Sequence, residues 1–204
     1  MRNETDASTE DLSREEMNGR RILAAARELF IEHGGPEGVN MHQIAKTAEV
    51  GQATLYRRYA VMGDICLDIV KTESRPLFDE VDEHLDRHSD TPPLDKLYYA
   101  ITRFVAFLEK KMPWLCAASR AATGYSPMQS SLYRWMRETC TTLYDEAARR
   151  KEITDIDVAY TVEVLLSALR DIDFNLRDRT FLKNRILKGL RQIFIERLKR
   201  QDAS

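Results

Sequence analysis

Five side chains within one heptad hold the most usable chemistry in this chain. Gln52, Thr54, Tyr56, Arg57 and Arg58 all donate hydrogen bonds, and no acid falls between Val50 and Ala60. Arginine can bridge guanine O6 and N7, glutamine can pair with an adenine edge, and a threonine methyl can meet a thymine methyl. Arginine and tyrosine also reach phosphate oxygens. The stretch VNMHQIAKTAEVGQATLYRRY, residues 39–59, supplies a frame for them. It predicts two short helices with a tight break: Ile44 and Ala45 face inward on the first, Val50 sits in the turn, and Leu55 anchors the second. Such a pair lays its second helix in a DNA major groove. Asn40 is placed to cap the first of the two helices through its side-chain oxygen.

Other reactive groups lead nowhere so specific. His84 and His88 are four apart on one helical face, but two imidazoles make a poor metal site. Asp171 and Asp173 resemble half of an aspartate pair without its partner motif. Cys66, Cys116 and Cys140 are widely spaced, without CxxC, and read as reduced thiols packed as small apolar groups. Neither a glycine-rich phosphate loop nor a nucleophilic triad is present in the order of residues. No metal, cofactor or enzyme activity is expected.

The elements that must position the donors are helical. The chain of 204 residues is 43% hydrophobic and 31% charged, with eight Gly and six Pro, a composition that favours long helices over a turn-rich β fold. An all-α fold of about nine helices is expected: an N-terminal three-helix head holding the helix-turn-helix, then a larger helical body. Residues 1–15 are expected to be a disordered arm, 16–62 the DNA-binding domain and 63–204 the body. In the first helix, 16–32, Ile22, Leu23, Ala26, Leu29 and Phe30 recur at three and four, and Gly34, Gly35 and Pro36 stop it. A fourth helix starts near Gly63 and continues past Pro76 as a connector. Pro92 and Pro93 open a fifth and Pro113 a short sixth. Ser126 and Pro127 start a seventh, Asp155 caps an eighth, and a ninth runs over 181–200. No run of 18 apolar residues spans a membrane, and the polar N-terminus lacks a signal peptide's apolar core, so a cytoplasmic protein is expected. The net charge is −2, and residues 13–70 hold seven Lys/Arg against eight Asp/Glu, so any DNA contact must come from a small local face.

This layout resembles the TetR (tetracycline-repressor-like) family of bacterial transcription regulators. The resemblance is carried by Phe30 and Gly34, then Asn40, Ile44, Ala45, Ala48, Val50, Thr54, Leu55, Tyr56, Tyr59 and Ile65, all in register with the family's motif. It implies that Tyr56 and Asn40 touch phosphates, that Gln52, Thr54 and Arg57 face base edges, and that Arg58 and Lys46 lie near the backbone. Three positions depart from the pattern. Glu49 replaces the turn glycine, at a cost of roughly 1 kcal/mol for a left-handed backbone. Gly51 replaces the capping serine, and Met62 replaces a phosphate-binding lysine.

The resemblance also implies a homodimer on a near-palindromic double-stranded operator and a repressor released by a small effector. A largely apolar effector is expected in the body, among Phe104, Phe107, Trp114, Tyr133 and Trp135, with Arg120 or Arg134 to meet an acidic group. Val162, Leu166, Leu169, Leu187, Leu190 and Phe194 are the expected dimer seam, near a C-terminal stretch, 177–204, with nine Lys/Arg and three Asp/Glu. Glu49 and Met62 motivate an alternative: a relative that senses ligand or binds protein through this scaffold with weakened or lost DNA binding.

Overall fold

The structure, a computed structural model, describes residues 4–121, 128, 130–153, 156–170 and 179–199, with side-chain surroundings for those in 14–111, 128, 130–153, 156–169 and 183–199. The described residues form eight α-helices: α1 Glu4–Glu32, α2 Met41–Thr47, α3 Gln52–Arg58, α4 Met62–Arg87, α5 Pro93–Ala121, α6 Ser131–Arg149, α7 Val158–Arg170 and α8 Arg179–Arg191. A 3-10 turn, Pro36–Gly38, follows α1, and a π-helical turn, Gln192–Glu196, follows α8. The chain divides into two compact units, Met1–Thr72 with Pro113–Tyr125 and Glu73–Met112 with Ser126–Ser204. The all-α expectation holds, and several boundaries move.

Helix α1 begins at Glu4, not near residue 16. The expected break at Pro113 is absent: α5 runs through it to Ala121, merging the fifth and sixth helices of the sequence reading. Pro76 is likewise inside α4. Both Pro76 and Thr72, the residue whose carbonyl loses its partner there, are exposed, so water can take the place of the missing N–H. Helix α6 starts at Ser131, where the Ser130 hydroxyl accepts from the Tyr133 N–H, not at Pro127. At the start of α7 the Tyr160 N–H donates to Asp157 Oδ1 at 2.9 Å, the kind of bond expected of Asp155. Asp155, Asp171 and Asp173 lie outside the described residues.

The first unit has one core. Ile22, Ala26, Leu29 and Phe30 of α1 meet Ile44 and Ala45 of α2, Leu55 of α3, and Ile65 and Ile69 of α4, all buried. The spacing of three and four along α1 is what puts its four on one side. The second unit buries Leu97, Ile101, Phe104 and Leu108 of α5 with Leu132, Met136 and Tyr144 of α6 and Val162, Leu165 and Leu166 of α7. Lys96 is buried there and survives because its ammonium donates to both oxygens of Glu146, at 3.1 and 3.4 Å. The π-helical turn is closed from inside: Leu198 and Lys199 both donate to the Ile195 carbonyl, and the buried Tyr144 hydroxyl donates to the Phe194 carbonyl at 2.8 Å.

Candidate nucleic-acid interface

The turn between α2 and α3 is set by its hydrogen bonds. Asn40 closes α2 with a capping box: its Oδ1 accepts from the Gln43 N–H at 3.0 Å, and Gln43 Oε1 accepts from the Asn40 N–H at 2.8 Å. At the other end the Val50 N–H reaches the Ala45 carbonyl and the Glu49 N–H the Lys46 carbonyl, at 3.0 and 3.1 Å. That is a Schellman ending, and its left-handed residue is Glu49, with φ 52°. Glycine's usual place is therefore filled by an acid in the glycine conformation. Gly51 then starts α3 in extended backbone with no side-chain cap.

Helix α3 sorts its donors by angle. Leu55 is fully buried and Tyr59 nearly so, which fixes the inner side. Gln52, Ala53, Tyr56 and Arg57 are exposed, Tyr56 at 50%, and of these Ala53 and Arg57 stand opposite Leu55. Gln52 Nε2 is paired with His42 Nδ1 of α2, which ties the two helices together on the outer side. No signal in the sequence points to His42; only the turn geometry brings it there. Thr54 is half-buried on the flank toward α1. Lys46 is exposed near the end of α2. Asn40 spends its oxygen on the cap and leaves its amide nitrogen as a donor.

Arg58 is exposed and is also held within the head. Its guanidinium lies against Gly19 of α1, where an added Cβ would come within 2.7 Å of Cζ. Its Nε donates to the Tyr59 hydroxyl at 3.2 Å, and that hydroxyl donates to Asp68 of α4 at 2.7 Å. Burial is the main cause that pushes the Tyr59 phenol up to about 12. The bond to Tyr59 is the main cause raising the Arg58 guanidinium above its ordinary value. Arg58 thus braces α3 against α1 and α4 within this unit. Met62, where the resemblance implied a lysine, is half-buried and packs on the core of the head, while Asp64 accepts from the N–H groups of Ala60 and Val61 at 3.0 and 3.2 Å.

Beside α3 an open concavity of about 650 Å³ lies between α1 and the turn. Arg14, Asn18 and Arg21 of α1 face Glu49, Thr54 and Arg57 across it. The α1 side of this site is not evident from spacing, because its arginines lie 30 or more residues before Arg57 and only the folded head joins them.

In the second unit the residues expected to meet an effector are dispersed. Phe104 and Tyr133 are buried and meet edge to face at 5.3 Å. Phe107 is half-buried and Arg134 is exposed. Trp135 is half-buried, stacks on Phe78 at 4.5 Å and donates to Asp82 at 3.4 Å. The side chains of Trp114 and Arg120 lie outside the described residues. Trp135 borders a groove of about 600 Å³ that also holds Asp82, Asp86, Glu138 and Glu146. The six residues expected at a dimer seam need correction: Val162, Leu166, Leu169, Leu187, Leu190 and Phe194 are at most 8% exposed within one chain. They form part of the chain's own core, and among the described residues the large apolar groups these elements leave outside are Tyr160, Val164 and Ile193. Among the described residues no helix is long and apolar enough to cross a membrane, and no three His, Cys, Asp or Glu converge as metal ligands.

Comparison with known proteins agrees with this geometry. Residues 22–66 match the family described as bacterial regulatory proteins, tetR family. The chain is 27% identical over 194 residues to the HTH-type transcriptional regulator SAR2658 of Staphylococcus aureus (strain MRSA252), covering 91% of this chain and 96% of that one. Among solved structures it is similar to the TetR transcriptional regulator SCO0520 from Streptomyces coelicolor, at 26% identity and TM-score 0.54, covering 90% and 99% of the two chains. It also shares the fold of RolR in complex with resorcinol, at 14% identity and TM-score 0.64, covering 87% and 89%. With the turn, the recognition helix and the core of the head all in register, residues 22–66 form a DNA-binding head of the tetR family of bacterial regulatory proteins, and the chain as a whole is similar to helix-turn-helix transcription regulators.

Proposed function

We propose that this regulator is a homodimeric repressor that binds a near-palindromic operator and releases it when a small effector occupies the body. The observation that carries the reading is that Gln52, Tyr56 and Arg57 of α3 are exposed while Leu55 and Tyr59 anchor the helix in the core of the head. Glu49 and Met62 do not argue for loss of DNA binding, since the first takes the required backbone and the second joins the core. Duplexes selected from a random pool by the purified protein should converge on a two-fold sequence. Arg57→Ala and Tyr56→Ala should each weaken binding to the selected duplex roughly tenfold or more, with unchanged circular dichroism. Unchanged affinity in both variants defeats the assignment of α3.

The dimer seam belongs on the outer sides of α7 and the π-helical turn, at Tyr160, Val164 and Ile193. Among the described residues these are the large apolar groups that one chain leaves exposed there. The effector reading rests on the body's aromatic residues and on RolR, a neighbour solved with a ligand. The groove beside Trp135 tilts the choice toward cations, because its acids, Asp82, Asp86, Glu138 and Glu146, outnumber its bases, Lys96 and Arg150. Helix α4 runs without interruption from residues of the first unit into the second, which makes it the element through which occupancy can reach the head. Linkage then demands reciprocity: an effector that weakens operator binding is itself weakened, by the same factor, when operator is present.

A further inference from the structure

The concavity between α1 and the turn gathers donors in a pattern that α3 alone lacks. Arg14, Arg21 and Arg57 bring three guanidinium groups to it, with the Asn18 amide and the Thr54 hydroxyl between them. Its two acids are both engaged with those arginines. Glu49 Oε2 accepts from Arg21 Nη2 at 2.6 Å, and Glu15 Oε1 stands 3.9 Å from Arg57 Nη2. The Arg21 and Glu49 side chains are 42% and 81% exposed, and those of Arg57 and Glu15 66% and 59%. Exposed pairs of this kind are weak and exchangeable. The planar fork of a guanidinium binds the two non-bridging oxygens of a phosphodiester at least as well as the two of a carboxylate. Helix α1, the turn and α3 all belong to one unit with one core, so the donors keep their positions when the carboxylates are displaced.

We propose that this concavity is a second, phosphate-binding part of the DNA interface, and that Glu49 and Glu15 act in it as internal counter-ions which the operator backbone must displace. The inference rests on the DNA-binding reading above. It makes Glu49 a residue that sets affinity through its charge as well as its backbone. In the unbound head Arg21 is neutralised by Glu49. On binding, the phosphate takes Arg21, and the released carboxylate recruits a cation from solution. That uptake offsets part of the counter-ion release that normally drives DNA binding.

The test is a double-mutant cycle on Arg21 and Glu49, with affinity measured against salt concentration for a duplex selected by the wild-type protein. Glu49→Gln keeps the same strained backbone and removes the charge. It should tighten binding roughly twofold per head at low salt, the worth of the exposed pair it removes. It should also steepen the slope of log affinity against log salt by up to about 0.9 per head. Arg21→Ala should weaken binding, and in that background Glu49→Gln should recover little and leave the slope unchanged. A wild-type-like affinity and slope for Glu49→Gln overturns the proposal. So does an undiminished gain in the Arg21→Ala background, which would mean that Glu49 merely repels DNA. If the wild-type protein selects no duplex at all, the DNA-binding reading itself falls.

Discussion

Replacing Glu49 with glycine should stabilise the head, and the turn geometry says by how much. Glu49 is the left-handed residue of the α2 ending, with φ 52° and both Schellman hydrogen bonds made. An L-residue held there costs about 1 kcal/mol relative to glycine, which adopts the conformation without a Cβ clash. Glycine also removes the ion pair with Arg21, but with Glu49 81% exposed that pair is worth a few tenths of a kcal/mol at most. The net gain is about 0.7 kcal/mol over wild type and about 1 kcal/mol over Glu49→Gln, which loses the pair and keeps the strain. Both tryptophans lie outside the helix-turn-helix segment, so fluorescence is a poor reporter of it. Amide exchange is a better one. The amides of Ala48 and Leu55, which donate to Ile44 and Gly51, exchange only when the turn and its helices open. Their exchange should be about threefold slower in Glu49→Gly than in wild type and about fivefold slower than in Glu49→Gln. Equal rates in the two variants would refute the reasoning, because the left-handed backbone would then carry no cost for the acid.

Two further outcomes follow from buried groups. Tyr144→Phe leaves the buried Phe194 carbonyl of the π-helical turn without its donor, and should cost about 1–3 kcal/mol, read as a fall of several degrees in the thermal midpoint. Burial pushes the Cys66 and Cys140 thiols up to about 12, so both stay protonated at pH 8. An alkylating reagent should label them only after denaturation, and peptide mass mapping that finds the label on native Cys140 would contradict its burial.

How much of this was legible in the residues depended on how local the deciding physics was. The head was readable because its constraints are short-range and agree with one another. Apolar spacing along α1, the Asn40 cap and the need for a left-handed residue at 49 are each visible within a few positions, and all three are present in the structure. Proline misled the reading of α5. Pro113 looks like a helix start, yet α5 passes through it, as α4 passes through Pro76. A single lost hydrogen bond ends a short helix but not one of 26 or 29 residues held by the packing of its buried face. The residues expected at a seam are harder to read for a different reason. A broad apolar stripe on an end helix does not say which part meets its own chain and which a second copy, and Val162, Leu166 and Phe194 are used up inside.

The placement of Arg58 shows the same limit at the site. On paper Arg57 and Arg58 are equivalent donors at the end of a recognition helix. In the fold both are exposed, but Arg58 also lies against Gly19, tied through Tyr59 to Asp68. A basic residue near a phosphate and a basic residue bracing three helices have the same sequence signature. What separates them is whether α1 offers a glycine for the guanidinium to lie on, a fact 39 positions away. The same long-range joining brings Arg14 and Arg21 beside Arg57 and gives the head a second set of phosphate donors. The charge count of residues 13–70 is nearly neutral, but neutrality there does not mean weak attraction to DNA. It reflects acids such as Glu49 held directly on the arginines, so the measurable affinity is a difference between two partners competing for one guanidinium.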